Sequence, residues 1–382
     1  MSYTESSQPQ PTFEDMFRPW SPADDPDKPP FPYITGFTAQ IDRHSAPPPF
    51  GQPHYGPGPR PGHSSRYLHD VPQSELVVDH PPLDTPPPPP ETARLTVHAP
   101  MSVGCHRGAQ VVACSVTPHG GGEPFQAVAK IYDALYYRFT ESYADAPRDV
   151  VREADGDYSR EAAAYEHLQA TGQTGSFAPA YYGSWTLNLP ITSRGKAYLR
   201  PVRLILIERL DGPSIKDSLI YNGSGNADKD AFHYPLEYRL EILALAMDGY
   251  VRQQHSGIDQ WDFAGRNVIL APRLPSNEPA VVVAGMSLPR VVLIDYNTAA
   301  VYPLTEMGRP PLMDWPRPWN PMTHFWGLPM NDFWGWVPHE WHDNQKFIQE
   351  WLLSRFGTEE KRKLYAPVER EMVIIDDDLP LH

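Results

Sequence analysis

The chain has 382 residues, of which 32 are basic and 47 acidic, for a formal net charge of −15. That balance argues against an extended nucleic-acid-binding surface, and two cysteines cannot build a disulfide framework. No run of about 18 apolar residues exists to span a membrane. The N-terminus carries no apolar signal-peptide core, so a cytoplasmic or nuclear, intracellular location is expected.

Half of the 46 prolines lie before residue 91, including Pro47-Pro48-Pro49 and Pro86 through Pro90. Little apolar periodicity accompanies them to offset ordering entropy, so residues 1–92 are expected to be disordered with polyproline II character. Such a segment could recruit SH3- or WW-type partners. From residue 93 the pattern changes. Ala93 to His98 alternates like a strand, and a turn-prone stretch with Gly104 and Gly108 leads to a second strand over 109–116. After Gly120-Gly121-Gly122, Phe125 to Tyr132 gives a third. Cys105 and Cys114, nine positions apart and close to the stretch with Gly104 and Gly108, read as small core residues rather than a redox pair.

An Ala-rich stretch from Ser159 to Leu168, preceded by Asp157, predicts a helix. Val202 to Glu208 reads as a buried strand ended by the turn chemistry of Asp211-Gly212-Pro213. Leu236, Leu240, Leu243, Met247 and Tyr250 give a long amphipathic helix over 236–251. Short strands are expected at 268–270, 281–283 and 291–294. Seven of the ten tryptophans fall between Trp315 and Trp351, a density that suits a small helical core. A helix near 344–356 should bury Phe347, Ile348, Trp351, Leu352 and Phe356, with Gly357 as C-cap. Residues 365–382 read as an acidic, frayed tail. His339 and His342 are three apart, but no second ligand pair accompanies them for zinc.

Two segments carry chemistry. In Trp261-Asp262-Phe263-Ala264-Gly265-Arg266-Asn267, an Asp and an Asn stand five residues apart, and Val291 to Ile294 ends in Asp295. Phosphoryl transfer needs one carboxylate to accept the proton of an attacking hydroxyl, and a second carboxylate plus an amide oxygen for Mg²⁺. Here the sequence resembles the protein-kinase-like superfamily, whose catalytic loop reads H-R-D-x-x-x-x-N and whose metal Asp opens D-F-G. Gln260-Trp261 stands at the His-Arg position and Tyr296-Asn297 at the Phe-Gly position.

The resemblance covers about residues 93–357 and is nearest to compact, divergent kinase-like proteins of the type common in filamentous fungi, between protein kinases and aminoglycoside/choline-kinase-like enzymes. It implies an α+β, two-lobed fold: an antiparallel β-sheet N-lobe plus a helix over about 93–208, and a reduced, mainly helical C-lobe over about 213–357. The whole kinase-like domain then spans 93–364. Ala127-Val128-Ala129-Lys130-Ile131 matches the V-A-I-K strand, which assigns Lys130 to the α- and β-phosphates. The helix carboxylate that pairs with it is Glu161, which shares a face with Tyr165 and Leu168; Glu166, the competitor, does not. The spacing of 31 positions from Lys130 to Glu161 implies an insertion over Tyr136 to Asp155. Gly104 and Gly108 become the phosphate-cradling loop, Glu208, Arg209 and Leu210 the hinge against adenine. Asp262 becomes the catalytic base, and Asn267 and Asp295 the Mg²⁺ ligands. The implied function is an ATP- and Mg-dependent phosphotransferase acting on a protein or small-molecule acceptor, with neither nucleic acid nor membrane as partner. The alternative is a pseudokinase, a nucleotide-binding module without transfer.

Overall fold

The computed structural model describes residues 20–52, 54–140, 146–221, 229–275, 279–370 and 372–374. In chain order come strand β1 (Thr38–Arg43), helices α1 (Ser65–Asp70) and α2 (Gln73–Asp79), then strands β2 (Thr92–Ser102), β3 (Gln110–Pro118) and β4 (Phe125–Tyr132). Helix α3 (Val150–Ala170) precedes the hairpin of β5 (Tyr181–Ser193) and β6 (Lys196–Glu208), and helix α4 (Leu236–Ser256) opens a remainder of helices, 3₁₀ turns and short strands. The strands close into an antiparallel barrel in the order β1-β2-β3-β4-β6-β5. The chain is therefore a mixed α and β protein with an antiparallel sheet. No helix among the described residues is long and apolar enough to cross a membrane.

β4 shows why this sequence makes this strand. Its side chains alternate, so Ala127, Ala129 and Ile131 point into the barrel and are fully buried. Val128, Lys130 and Tyr132 face the other way and line a cleft. α3 packs against the outside of the barrel on that side. Its N-cap Asp149 accepts from the Arg152 N–H, so the helix starts at Val150, nine residues earlier than its Ala-rich stretch suggests. The expected insertion over Tyr136 to Asp155 is thus partly helix, and residues 141–145 lie outside the described residues.

The expectation of disorder over 1–92 does not hold for the described part of that segment; residues 1–19 lie outside it. β1 seals the barrel by pairing with both β2 and β5, and Ile41 is fully buried. Tyr33, Tyr55 and Leu76 are buried with it. A few well-placed apolar side chains, each completing a surface that the rest of the chain leaves open, offset the ordering cost that composition alone left unanswered. The prolines occupy the connections, and most of Pro86 to Pro90 stays exposed.

Asp133 ties this segment down. Arg200 donates to its two oxygens at 2.6 and 2.8 Å, and the Tyr33 hydroxyl donates to it as well. Arg200 and Asp133 are 5% and 1% exposed. Arg200→Met is expected to cost about 3–5 kcal/mol, because it strands a buried carboxylate. The urea midpoint at unchanged m-value reads this. A loss below about 1 kcal/mol would show that the pair is not what holds the segment.

In the helical part, Gly257 at φ 109° ends α4, and a Cβ there would meet Met313 Cε at 2.4 Å. The chain then turns into Ile258–Asp259, which pairs with Ala300–Val301. Strand Val268–Ala271 pairs antiparallel with Arg290–Leu293. Helix Gln345–Phe356 buries Ile348, Leu352 and Phe356, but Phe347 is 44% exposed, against expectation. Gly357 caps the helix as expected, its N–H donating to the Leu353 carbonyl at 2.8 Å, though from a right-handed conformation; a Cβ there would meet the Leu353 carbonyl. The tail does not fray from residue 365: Tyr365 and Ala366 are buried, the Ala366 N–H donating to the Pro318 carbonyl at 2.7 Å.

Candidate active site

The cleft between barrel and helical part is lined on one side by Val111, Val128, Lys130 and Tyr132, and on the other by Ile269, Ile294 and Asp295. Counting the part open to solvent it holds about 1690 Å³, ample for a nucleotide-sized ligand. At its centre is Lys130. Its Nζ donates to Glu161 Oε1 at 2.6 Å and to Asp295 Oδ1 at 2.8 Å. One ammonium thus joins β4, α3 and the end of strand Arg290–Leu293.

Each partner is placed by its own element. Glu161 is fully buried on α3, and its other oxygen accepts from the Tyr132 hydroxyl at 2.6 Å. The Tyr296 N–H also donates to Oε1, at 3.3 Å. Asp295 sits at φ 68°, a left-handed conformation that a non-glycine residue adopts at a cost. Burial lowers the Lys130 pKa, but Asp295 and Glu161 more than offset it, so the ammonium is held charged. Lys130 in turn holds the Asp295 carboxyl below its ordinary value, against burial. Burial pushes Glu161 up, with Lys130 opposing.

The second group is Asp262 with Asn267. Asn267 Nδ2 donates to Asp262 Oδ2 at 2.8 Å and to the Asp262 carbonyl at 3.0 Å. Both partners are acceptors, so the amide can face only one way, leaving Asn267 Oδ1 as a free acceptor among the described residues. The Ile294 N–H donates to the Asn267 carbonyl at 2.9 Å, which sets Asn267 beside the strand that ends in Asp295. Arg266 lines the cleft and donates from Nη2 to Asp262 and from Nη1 to Asp332, the latter at 3.3 Å.

The cleft brings together Lys130, Glu161 and Asp295, and Gly108, Glu208 and Leu210 line it too. Gly104 does not. Its N–H donates to Gln110 Oε1 at 2.7 Å, and Gln110 Nε2 donates to the Gly108 carbonyl at 3.0 Å. A wholly buried glutamine therefore holds this loop from beneath and occupies the amide expected to face phosphate. Glu208 is committed as well: Arg290 grips its two oxygens at 2.7 and 2.8 Å. Burial raises its pKa, but Arg290 and the Ala180 N–H more than offset that.

Several site residues escape sequence reading. Asp157 lines the cleft one turn before Glu161, paired with Arg160 at 2.7 Å; its spacing of four from Glu161 was the available signal. Tyr296, fully buried, joins Glu161 through its N–H and Gln253 through its hydroxyl, at 3.2 Å to Gln253 Oε1. Nothing in one sequence distinguishes that role from ordinary core packing.

No cluster of three or more His, Cys, Asp or Glu forms a metal cage among the described residues. A Mg²⁺ bound mainly through phosphates needs only one or two protein oxygens, and the Asp295 carboxylate with Asn267 Oδ1 has that chemistry. No family model and no curated protein matches this chain.

Proposed function

We propose that this chain is an ATP- and Mg²⁺-dependent phosphotransferase with a two-lobed, protein-kinase-like arrangement, acting on a protein or small-molecule hydroxyl. The observation that carries the reading is the single Lys130 ammonium bridging Glu161 and Asp295 across the cleft, with the Asp262–Asn267 pair joined to the same strand edge. Because β1 closes the barrel, the N-lobe in this reading begins before residue 93.

Lys130, kept charged by its two carboxylates, offers a fixed cation to the α- and β-phosphates. Glu161 holds the Lys130 chain extended and lies too deep to reach substrate itself. Asp262 orients the acceptor hydroxyl and takes its proton. Asp295 and Asn267 would hold Mg²⁺, which supplies charge neutralisation on the phosphates. Val128, Ile207, Leu210 and Ile269 give apolar walls suited to a purine.

Millimolar MgATP is expected to raise the melting temperature of the full chain. A free concentration of 100 times Kd corresponds to about 2.7 kcal/mol of added stability. Absence of any shift, together with no calorimetric heat, would sink the nucleotide site. A second reading, a nucleotide-binding module without transfer, is favoured by Gln110 occupying the Gly104 amide and by Arg266 pairing with Asp262. ADP release that disappears in Asp262→Asn excludes it.

A further inference from the structure

Asp259 is a buried carboxylate without a cation. It is 6% exposed and forms no ion pair among the described residues. Its Oδ1 accepts from the Tyr250 hydroxyl and, at 3.4 Å, from the Trp261 N–H; its Oδ2 accepts from Gln254 Nε2 and the Tyr302 hydroxyl, both at 3.0 Å. These donors come from α4, from the Asp262 loop and from the turn after Ala300–Val301. Burying a carboxylate is costly unless such donors replace water, and all of them converge on the residue three before Asp262.

What this carboxylate touches in the loop is a strained bend. Trp261 sits at φ 61°, a conformation that costs a bulky residue on the order of 1–3 kcal/mol. The residue is 59% exposed, so burial does little to offset that cost; one contact is His54, with ring centroids 4.6 Å apart. The intervening Gln260 is 1% exposed. Its Nε2 donates to the Ile294 carbonyl, and its own carbonyl accepts from Thr298 Oγ1 at 3.3 Å. Residue 259 thus holds the backbone just ahead of Asp262, while residue 260 ties the same stretch to the residue just ahead of Asp295.

We propose that Asp259 is a positioning residue: through the Trp261 N–H it holds the left-handed bend that leads into Asp262, and Gln260 ties that bend to the residue before Asp295. The inference rests on the phosphotransfer reading of Asp262. If instead Asp259 only stitches α4 to the Tyr302 turn, its loss would act through stability and would be indifferent to the residue at 261.

The test uses the full chain as wild type, Asp259→Asn, Trp261→Gly and the double variant. ADP release gives kcat, calorimetry gives MgATP affinity, and fluorine NMR of 5-fluorotryptophan protein follows Trp261, assigned by Trp261→Phe. Asp259→Asn is expected to lower kcat about ten-fold or more, keep MgATP affinity within about three-fold, and shift or split the Trp261 resonance while that of buried Trp336 stays put. Glycine adopts positive φ freely, so the double variant should be no slower than Trp261→Gly alone. Tyr302→Phe, which removes one partner of Asp259, should give the same split in milder form and serves where Asp259→Asn does not fold. A full ten-fold loss repeated in the glycine background, or an unmoved Trp261 resonance in both Asp259→Asn and Tyr302→Phe, overturns the proposal. Wild type without turnover overturns the phosphotransfer reading instead, and the Trp261 resonance then decides by itself whether Asp259 holds the bend.

Discussion

Asp295→Asn is expected to abolish turnover and weaken MgATP at least ten-fold, whereas Asp262→Asn should slow turnover by roughly 10²-fold or more and leave MgATP affinity within a few-fold. The difference follows from what each carboxylate touches. Asp295 contacts Lys130 at 2.8 Å, inside the cleft where phosphates would lie, and its charge is favoured by that ammonium. An amide there keeps the shape and loses the charge that would hold the metal. Asp262 accepts from Asn267 and Arg266 and forms no hydrogen bond with Lys130 among the described residues. In the proposed reading its replacement removes the proton acceptor and leaves the contacts of Lys130 with Glu161 and Asp295 in place. Kinetics at saturating MgATP and calorimetry without acceptor separate the two effects. Equal loss of nucleotide binding in both variants would contradict these roles and make both carboxylates structural.

The parts of this arrangement that could be read from sequence are those where local pattern and tertiary role coincide. β4 spans 125–132 as its alternation predicts, and that alternation alone puts Lys130 opposite the barrel interior. Glu161, chosen over Glu166 because it shares a helix face with Tyr165 and Leu168, is fully buried beside Lys130, whereas Glu166 is exposed. The start of α3 was illegible for a physical reason. Gly156 and the acids around it resemble a turn, yet Gly156 lies inside the helix, where a Cβ would meet Arg160 Nη1 at 2.9 Å; packing overrides its poor helix propensity. β1 was illegible because a single strand among prolines acquires its stability only by closing a barrel that the remaining strands leave open. Gly104 misled because a glycine pair marks a turn without saying which group its amides face, and here Gln110 reaches them first. The Trp-rich stretch divides: Trp336 is wholly buried, while Trp315, Trp319 and Trp326 line a groove with Val368 and Met372. Composition sees the ring area and not its destination.

Lys130→Met is expected to remove both activity and a large share of stability, with a pH signature that identifies the cause. It takes the cation from Glu161, which is fully buried, and stranding such a charge costs about 3–5 kcal/mol near neutral pH. In the wild type, burial already raises the Glu161 pKa while Lys130 lowers it; without Lys130 it must rise further. A carboxyl whose folded pKa lies above its unfolded one binds protons more tightly when folded, so stability falls as pH rises through that window and recovers on acidification. Asp295 acts in the same direction on the difference. Lys130 depresses its pKa, so its wild-type contribution is present above the ordinary carboxylate value and is lost as pH falls through the folded one. The gap between wild type and Lys130→Met should therefore narrow steadily as pH is lowered from 8 towards about 4.3, the ordinary Glu value. Urea unfolding across that range measures it. The double variant Lys130→Met with Glu161→Gln supplies the control, because a neutral amide oxygen can still accept from the Tyr132 hydroxyl and the Tyr296 N–H. It should be more stable than Lys130→Met alone at pH 7 and show a flatter pH profile. Parallel stability curves for wild type and Lys130→Met, or a double variant as unstable as the single one, would mean that lost packing of the lysine stem, not the uncompensated charge on Glu161, carries the effect.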